Sequence, residues 1–412
     1  MTGPAPGALA RFNPFTDDFR DDPYPMYRSL RAGAPVHRTM GMWVLTRHAD
    51  VRTVLRDRGF AVDVIPEMLR RQAQRLGVPD IDRIDRLGRT SLVFTGNPEH
   101  ARLRALVNPV FTASAVARLR PRIVAVAEEL TEQTWRDGGG DLVTDFAAVL
   151  PVRVLADWLG LPPGLRGHLA GWTHDIRFLL EPGLMTAADF ERVRSVVDEF
   201  TAALGEVVAQ RRARPGDDLV SRLLAARIGG GDRLSEEELA CVGIMCFVAG
   251  VETTKSLIGN AVLALTTHPA EQERLRARPD LLTSAVSEVL RYDSPLQHTK
   301  RRATRDTVLG DQLIRSGDQV LLCLGAANRD PAAFPDPDTF DITRDTAGQL
   351  AFGHGLHGCL GAPLAQMQAE IALGCLFGRP ERLVAATGRP QWQDHSFIVR
   401  GLRNFPVIVE SR

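Results

Sequence analysis

From Ser235 to Pro269 the chain offers nothing that would stop an α-helix. Ser235 followed by Glu238 is a capping box, in which two side chains satisfy the first free backbone N–H groups, and Pro269 is the first residue unable to continue the ladder. The spacing predicts a helix of about 30 residues and roughly 45 Å. Its first half, LACVGIMCFVAG, is apolar on every side and must therefore be buried on every side. Immediately afterwards come Glu252, Thr253 and Thr254. A carboxylate at that depth costs several kcal/mol unless it is paired or faces water, and Gly250 just before it costs about 1 kcal/mol of helix propensity. Two unfavourable choices side by side read either as a functional interruption of a buried helix or as a carboxylate bridged to a neighbouring helix. The residues alone leave both open.

Helical periodicity continues elsewhere. Phe190, Val193, Val197, Phe200, Leu204 and Val207 recur every three or four residues, as do Leu119, Ile123, Val126 and Leu130. The first pattern should end near Pro215 and the second before Gly138. Strand-like pieces are short and scattered, at 42–46, 319–324 and 405–409. The expected class is mainly α with small β-sheets, an α+β fold. No repeat and no long linker divides the chain, so one continuous domain over 1–412 is expected, with 1–22 as a flexible N-terminal segment.

With 412 residues, 44% of them hydrophobic, there is ample material for a large core. Lys+Arg and Asp+Glu both number 50, so nothing favours a nucleic-acid partner or an anionic membrane surface. The basic clusters at 70–75 and 300–305 read first as solvated faces. Five cysteines, an odd number and mostly within apolar runs, argue against a disulfide framework and for a reducing, cytoplasmic setting. The start, MTGPAPGALARFNPF, is no signal peptide, and the charge-free stretch 239–251 is shorter than the roughly 18 residues a membrane span needs.

The stretch FGHGLHGCLG at 352–361 admits three readings. Gly353, Gly355 and Gly358 spell a dinucleotide fingerprint, but the preceding FPDPDTFDITRDTAGQL makes a poor buried strand and no second βα unit follows. His354, His357 and Cys359 could be zinc ligands, yet a fourth ligand is missing. Alternatively Cys359 acts alone, at the N-terminus of a helix expected from about 360, where N–H groups and the helix dipole stabilise a thiolate. This third reading fits best.

The pattern F-G-x-G-x-H-x-C-x-G here resembles the haem-binding loop of the cytochrome P-450 superfamily, the haem-thiolate monooxygenases. Three further segments occur in the same order: Ala249, Gly250, Glu252, Thr253 and Thr254 resemble the oxygen-activating motif of the family's long central helix, Glu288 and Arg291 its E-x-x-R pair, and 328–331 with 337–344 the segments upstream of the loop. The likeness extends from about Pro23 onward and is strongest to soluble bacterial members.

The resemblance implies a long central helix over haem b, with Cys359 as axial iron ligand. Ala249, Gly250, Phe352, Gly353 and Gly361 would line the cofactor. His100 and Arg104, four apart on one helix face, would bind one propionate region, and Arg301 with His357 the other, giving the 300–305 cluster a partly functional meaning. Glu288, Arg291 and Arg344 would form a structural ion network, and Glu252 with Thr253 would deliver protons during catalysis. Substrate contacts would come from 61–94, 172–184, Val248, Leu296, Phe397 and Ile398. The implied activity is insertion of one oxygen atom from dioxygen into a small, largely apolar organic molecule, by hydroxylation or epoxidation, in the making of a specialised metabolite. Electrons would come from a separate ferredoxin and its reductase, docking on the Cys359 side of a cytoplasmic monomer. A peroxide-driven variant and a haem-binding recruitment module without turnover are the alternatives; the intact Glu252–Thr253 pair and Cys359 argue against both. Leu356, Gly358 and Gly96-Asn97-Pro98 depart from the common bacterial pattern and bear on redox potential more than on ligation.

Overall fold

The computed structural model describes residues 12–386 and 389–410. The helix expected after Ser235 runs Glu236–Thr267, 32 residues, and both capping-box bonds are present: the Glu238 N–H donates to Ser235 Oγ at 3.1 Å and the Ser235 N–H to Glu238 Oε2 at 2.7 Å. Around it pack the helices Val149–Leu159, Arg166–Ile176, Ala187–Ala213, Leu282–Tyr292 and Ala362–Phe377. By length and composition this central helix could cross a membrane, but 72% of its most apolar window is buried against those neighbours, which makes it the axis of the core. At Gly250 a Cβ would stand 2.7 Å from Leu155 Cδ1, so the missing side chain admits the neighbouring helix and packing offsets the propensity cost.

Every apolar position expected to face inward from Ala187–Ala213 is buried, and that helix stops just before Pro215. Ile123, Val126 and Leu130 do the same for Arg120–Arg136. The strand-like pieces are Met42–Leu45, Gln319–Cys323 and Pro406–Glu410. A five-stranded sheet has the order Val36–Thr39, Met42–Leu45, Gln319–Cys323, His298–Ala303, Phe60–Ala61. Met42–Leu45 is parallel to Gln319–Cys323 with Trp43 opposite Val320, and Val320 in turn faces Arg301 across an antiparallel pair. The basic run from Lys300 is therefore a buried strand in its first half and no solvated face, whereas Arg70, Arg71 and Arg75 are exposed on the helix Val64–Leu76, whose Ile65 and Leu69 are buried.

Of the N-terminal segment 1–22, expected to be flexible, residues 1–11 lie outside the described residues, and from Phe12 the chain is anchored by aromatic packing. Phe12 and Phe19 are buried, and the Phe12 ring stands edge-on to Phe19 and His298 at 5.6 and 5.9 Å. His298 lies beneath them, with Nδ1 2.7 Å from the Phe397 carbonyl oxygen and Nε2 2.9 Å from the Tyr27 hydroxyl. Burial holds this imidazole down to about 4. Unfolded histidine titrates near 6.5, so the neutral folded form contributes its full stability above that pH and loses it as pH falls. From roughly pH 7 to pH 5 this one residue should cost about 2 kcal/mol of folding free energy. Urea unfolding across that range checks it: His298→Asn should flatten the dependence by that amount.

Candidate active site

The loop at 352–361 is pinned by its own backbone. The Cys359 N–H donates to Phe352 O at 2.9 Å and the Gly353 N–H to Leu350 O at 2.9 Å. Gly353 and Gly355 adopt φ of +68° and +74°, left-handed conformations that glycine takes without strain. At Gly355 space is also missing, because a Cβ would lie 3.0 Å from Leu55 O on the helix His48–Arg56. The glycines thus serve the loop's shape and its seat on that helix. No strand precedes them between Cys323 and the loop, and only the short turn Gly355–His357 lies within it, so the dinucleotide reading fails. The zinc reading fails as well. His354 sits in the field of Arg52, Arg56 and His48, the His357 ring lies tilted against that of His100, and no three His, Cys, Asp or Glu residues are grouped to hold a metal ion among the described residues.

The following helix begins at Ala362 with Gly361 as its N-cap. Burial pushes the Cys359 thiol up, while the Gly361 amide, Arg104 and the Ala362 amide pull against it by stabilising the anion. Of the five cysteines, all unpaired, Cys359 alone is exposed. Because burial still weighs on its thiol, the opening is a recess within the protein and not its outer surface.

Four nitrogen-bearing side chains from distant parts of the sequence meet at one side of this recess. His100 is 0% exposed, neither of its ring nitrogens has a hydrogen-bond partner, and its ring lies 4.0 Å from that of His357, whose Nδ1 is also unpartnered. Arg104 donates to Gly358 O at 2.9 Å. Arg301 is 7% exposed, donates to Thr299 Oγ1 and Lys300 O, and has no carboxylate within 4.0 Å among the described residues. Burial, then His100, Arg301 and Arg104, hold His357 down to about 4, which ties all four into one electrostatic group. Burial alone brings Arg301 down to about 10. The sequence suggests two separate pairs; the fold gathers them around the two close imidazoles. Three buried ring nitrogens, His100 Nδ1 and Nε2 and His357 Nδ1, stay without a partner among the described residues, which is costly, and an anionic partner beside the two guanidinium groups would satisfy them.

The central helix supplies the facing wall. Cys246, Ala249, Gly250 and Thr253, at the spacing of one helix stripe, are its open positions amid buried neighbours. Besides burial, the charge that pushes the Cys246 thiol up to about 12 is Cys359, so the stripe faces the loop cysteine. Val248, expected as a substrate contact, is instead packed in the core, one step around the helix. Cys246 holds the open position of that turn. It went unnoticed in the sequence because it looks like one more apolar residue, although it precedes Thr253 by two helical turns.

Glu252 is 7% exposed, and Lys255 Nζ lies 2.9 Å from its Oε2. Burial opposes its charge, but Lys255, then Arg177 and His174, hold the carboxyl below the usual range. The ion pair lies within the central helix, one turn on, and not with a neighbouring helix. Thr253 Oγ1 donates to Ala249 O at 2.8 Å, so its hydroxyl is closed on its own helix.

Glu288 and Arg291 are both fully buried and paired through two bonds, Nε to Oε2 at 2.7 Å and Nη2 to Oε1 at 2.8 Å. Arg291 spends its other donors on Asn328 O, Pro337 O and Thr339 O, and Arg344 Nε reaches Glu288 Oε1 at 3.3 Å. Asn328 Oδ1 in turn accepts from the Leu350 N–H at 2.7 Å. The network thus fixes the chain leading into the cysteine loop. Among the expected substrate contacts, Leu296 forms a bridge with Val399, and Gln297 N–H donates to Ile398 O at 2.8 Å, which brings the two segments together. Phe397 packs outward instead, its ring 5.4 Å from Phe15 and 5.6 Å from His298, so aromatic packing with the N-terminal segment claims it.

The Cytochrome P-450 family profile matches residues 177–400. Cytochrome P-450 107B1 of Saccharopolyspora erythraea is 38% identical over 421 residues, covering 98% of each chain. This chain belongs to the cytochrome P-450 family. Vitamin D(3) 25-hydroxylase of Pseudonocardia autotrophica is 36% identical over 97% of this chain and 96% of its own. The crystal structure of CalO2 superposes with a TM-score of 0.89 at 34% identity, over 97% of this chain and 99% of that one. The mainly α architecture with small sheets is the P-450 fold, and the protein is a P-450 monooxygenase, an oxidoreductase that uses haem. A haem brings one iron and two carboxylates. The recess of this P-450 offers one sulfur under two amides, two guanidinium groups and three unpartnered imidazole nitrogens, a set that fits it.

Proposed function

We propose that Cys359, as thiolate, is the axial ligand of the haem iron and that the enzyme hydroxylates or epoxidises a small, largely apolar organic molecule. One observation carries this reading: the loop sulfur opens onto a recess whose opposite wall is the open stripe of the central helix. His100, Arg104, Arg301 and His357 hold the two cofactor carboxylates. Ala249 and Gly250 of the central helix, and Phe352, Gly353 and Gly361 of the cysteine loop, would line the cofactor. The bound haem, given two electrons, supplies the oxidising chemistry that transfers one atom of dioxygen, with thiolate donation favouring O–O cleavage.

This chain's own residues handle the protons. Thr253 swings its hydroxyl off Ala249 O to donate toward the recess, and Glu252 resupplies it from the far side once released from Lys255. Leu296, Ile398, Cys246 and Ala249 border the space left for substrate. Relatives named Vitamin D(3) 25-hydroxylase and 6-deoxyerythronolide B hydroxylase support hydroxylation. Exposed Arg47, Arg52, Arg56 and Arg58, on and beside the helix that seats the cysteine loop, suit an acidic ferredoxin fed by its reductase. We place the enzyme in the cytoplasm as a monomeric, single-domain protein; its five unpaired cysteines support the compartment.

The test is product oxygen. With ferredoxin, reductase, NADPH and a panel of macrolactones and secosteroids, product should carry one oxygen atom from labelled dioxygen. Product formed only with added peroxide overturns this in favour of the peroxide-driven variant. Glu252→Gln should slow turnover ~10²-fold and raise the solvent isotope effect, while Thr253→Ala should divert electrons to free peroxide; the ratio of peroxide to NADPH consumed checks both.

A further inference from the structure

Near Glu252 lies a second group of titratable residues, from two separate segments, 174–177 and 394–395. Arg177, 5% exposed, lies in the short turn Arg177–Leu180 that follows the helix Arg166–Ile176, and its Nη2 is 3.3 Å from His174 Nδ1. The His174 and His395 rings are 5.5 Å apart and steeply inclined. His395 Nδ1 lies 3.5 Å from Asp394 Oδ1. Asp394 and His174 are exposed, while buried Glu252 acts electrostatically on His174, Arg177 and His395, so the group lies between solvent and the acid's field. Within it two buried nitrogens, Arg177 Nε and His395 Nε2, have no hydrogen-bond partner. Buried polar atoms in that state are satisfied by ordered water.

The charge of Glu252 does not require this group, since Lys255 already pairs with it. Arg177 cannot pass a proton, because guanidinium does not give one up in proteins. The imidazoles can, one nitrogen accepting while the other donates. The charges that act most on them are Arg177, Asp175, Glu252 and Lys255 about His174, and Arg177, His174, Glu252 and Asp394 about His395; Arg403 pairs with Asp394 at 3.4 Å, and Glu181 faces Arg177. Burial, then Arg177 and His174, bring His395 down to about 4, near the carboxyl range of the acid it would serve.

We propose that His174 and His395, with water at the unpartnered nitrogens of Arg177 and His395, form the proton inlet that recharges Glu252 from solvent at Asp394. This rests on the reading of Glu252 as proton donor to the recess. In this scheme a proton enters at His395 Nδ1 or at exposed His174, leaves from the opposite ring nitrogen and ends on Glu252, with no change in the number of electrons. The two histidines are positioning and relay residues; they do not touch the recess.

The experiment uses the haem-loaded full chain with a surrogate plant-type ferredoxin, its reductase and NADPH, following NADPH and dioxygen consumption in H2O and D2O across pH. The double variant His174→Gln/His395→Gln keeps hydrogen-bonding groups and size while removing proton transfer; His174→Phe/His395→Phe removes both. Both should slow consumption ~10-fold and raise the solvent isotope effect, with an unchanged ferric spectrum. If only the phenylalanine pair does so, the role is structural and the inlet is overturned. If neither does while Glu252→Gln still slows the reaction, the inlet fails and the acid's role stands. If Glu252→Gln is also silent, the reading of the acid itself falls. A second readout needs no turnover. In the carbon monoxide complex of the ferrous protein, histidine NMR titrations should move to lower pH for both rings in Glu252→Gln, and unmoved midpoints overturn the coupling.

Discussion

Cys359→Ala leaves a folded protein whose reduced carbon monoxide complex no longer absorbs as thiolate-ligated haem, and whose monooxygenation falls ~10³-fold or more, about 4 kcal/mol of barrier. The fold survives because the side chain opens on a recess, and the loop is held by Cys359 N–H, Gly353 N–H and the seat of Gly355 on Leu55. No second sulfur can replace it. Cys246 faces the recess from the central helix, but burial pushes its thiol up to about 12, too high to ionise near neutral pH. Cys359→Ser keeps the size and isolates the sulfur, and should lose the same absorbance. Reduced carbon monoxide spectra of both variants decide the matter: an unaltered thiolate band in either would place the ligand elsewhere.

Glu288→Ala should cost about 3–5 kcal/mol of folding free energy, because it leaves the Arg291 guanidinium buried without its counter-ion. Both side chains are fully buried, so no solvent compensates. The same change frees the Asp341 N–H and Arg344, which share Glu288 Oε1. The loss is a large fraction of the 5–15 kcal/mol that is typical of a folded protein. Arg291→Lys should cost nearly as much, since one ammonium cannot replace a two-bonded fork and three carbonyl contacts. Denaturant unfolding of each single variant and of Glu288→Leu/Arg291→Leu gives the coupling. We expect the double variant to be more stable than either single one, and a strictly additive loss would show that the pair does not act as a unit.

What could be read from the sequence was local. The capping box at Ser235, the stop at Pro269 and the apolar run between them fixed the central helix to within two residues, because every signal lies within it. The cysteine loop and the Glu288–Arg291 pair were legible for the same reason. Lys255 stood one turn from Glu252 in plain view, yet the buried context turned attention to other helices. The gathering of His100, Arg104, Arg301 and His357 was not legible as geometry, since it depends on a short buried strand of mixed polarity, His298–Ala303, that has no periodic signature. Val248 and Phe397 were misplaced because the rotation of a helix and the direction of a turn are set by neighbours far along the chain. Cys246 and the pair His174 and His395 carry no motif at all; only the fold puts them beside something.

The pairing of Trp43 with Val320, and of Val320 with Arg301, has a consequence for how the enzyme is made. A ribosome delivers the first of these strands long before the other two, so the early hairpin of Val36–Thr39 and Met42–Leu45 must wait with one edge open while most of the polypeptide emerges. Pigment capture is therefore the last act of biogenesis, and chains cut short before the final helices should come off colourless.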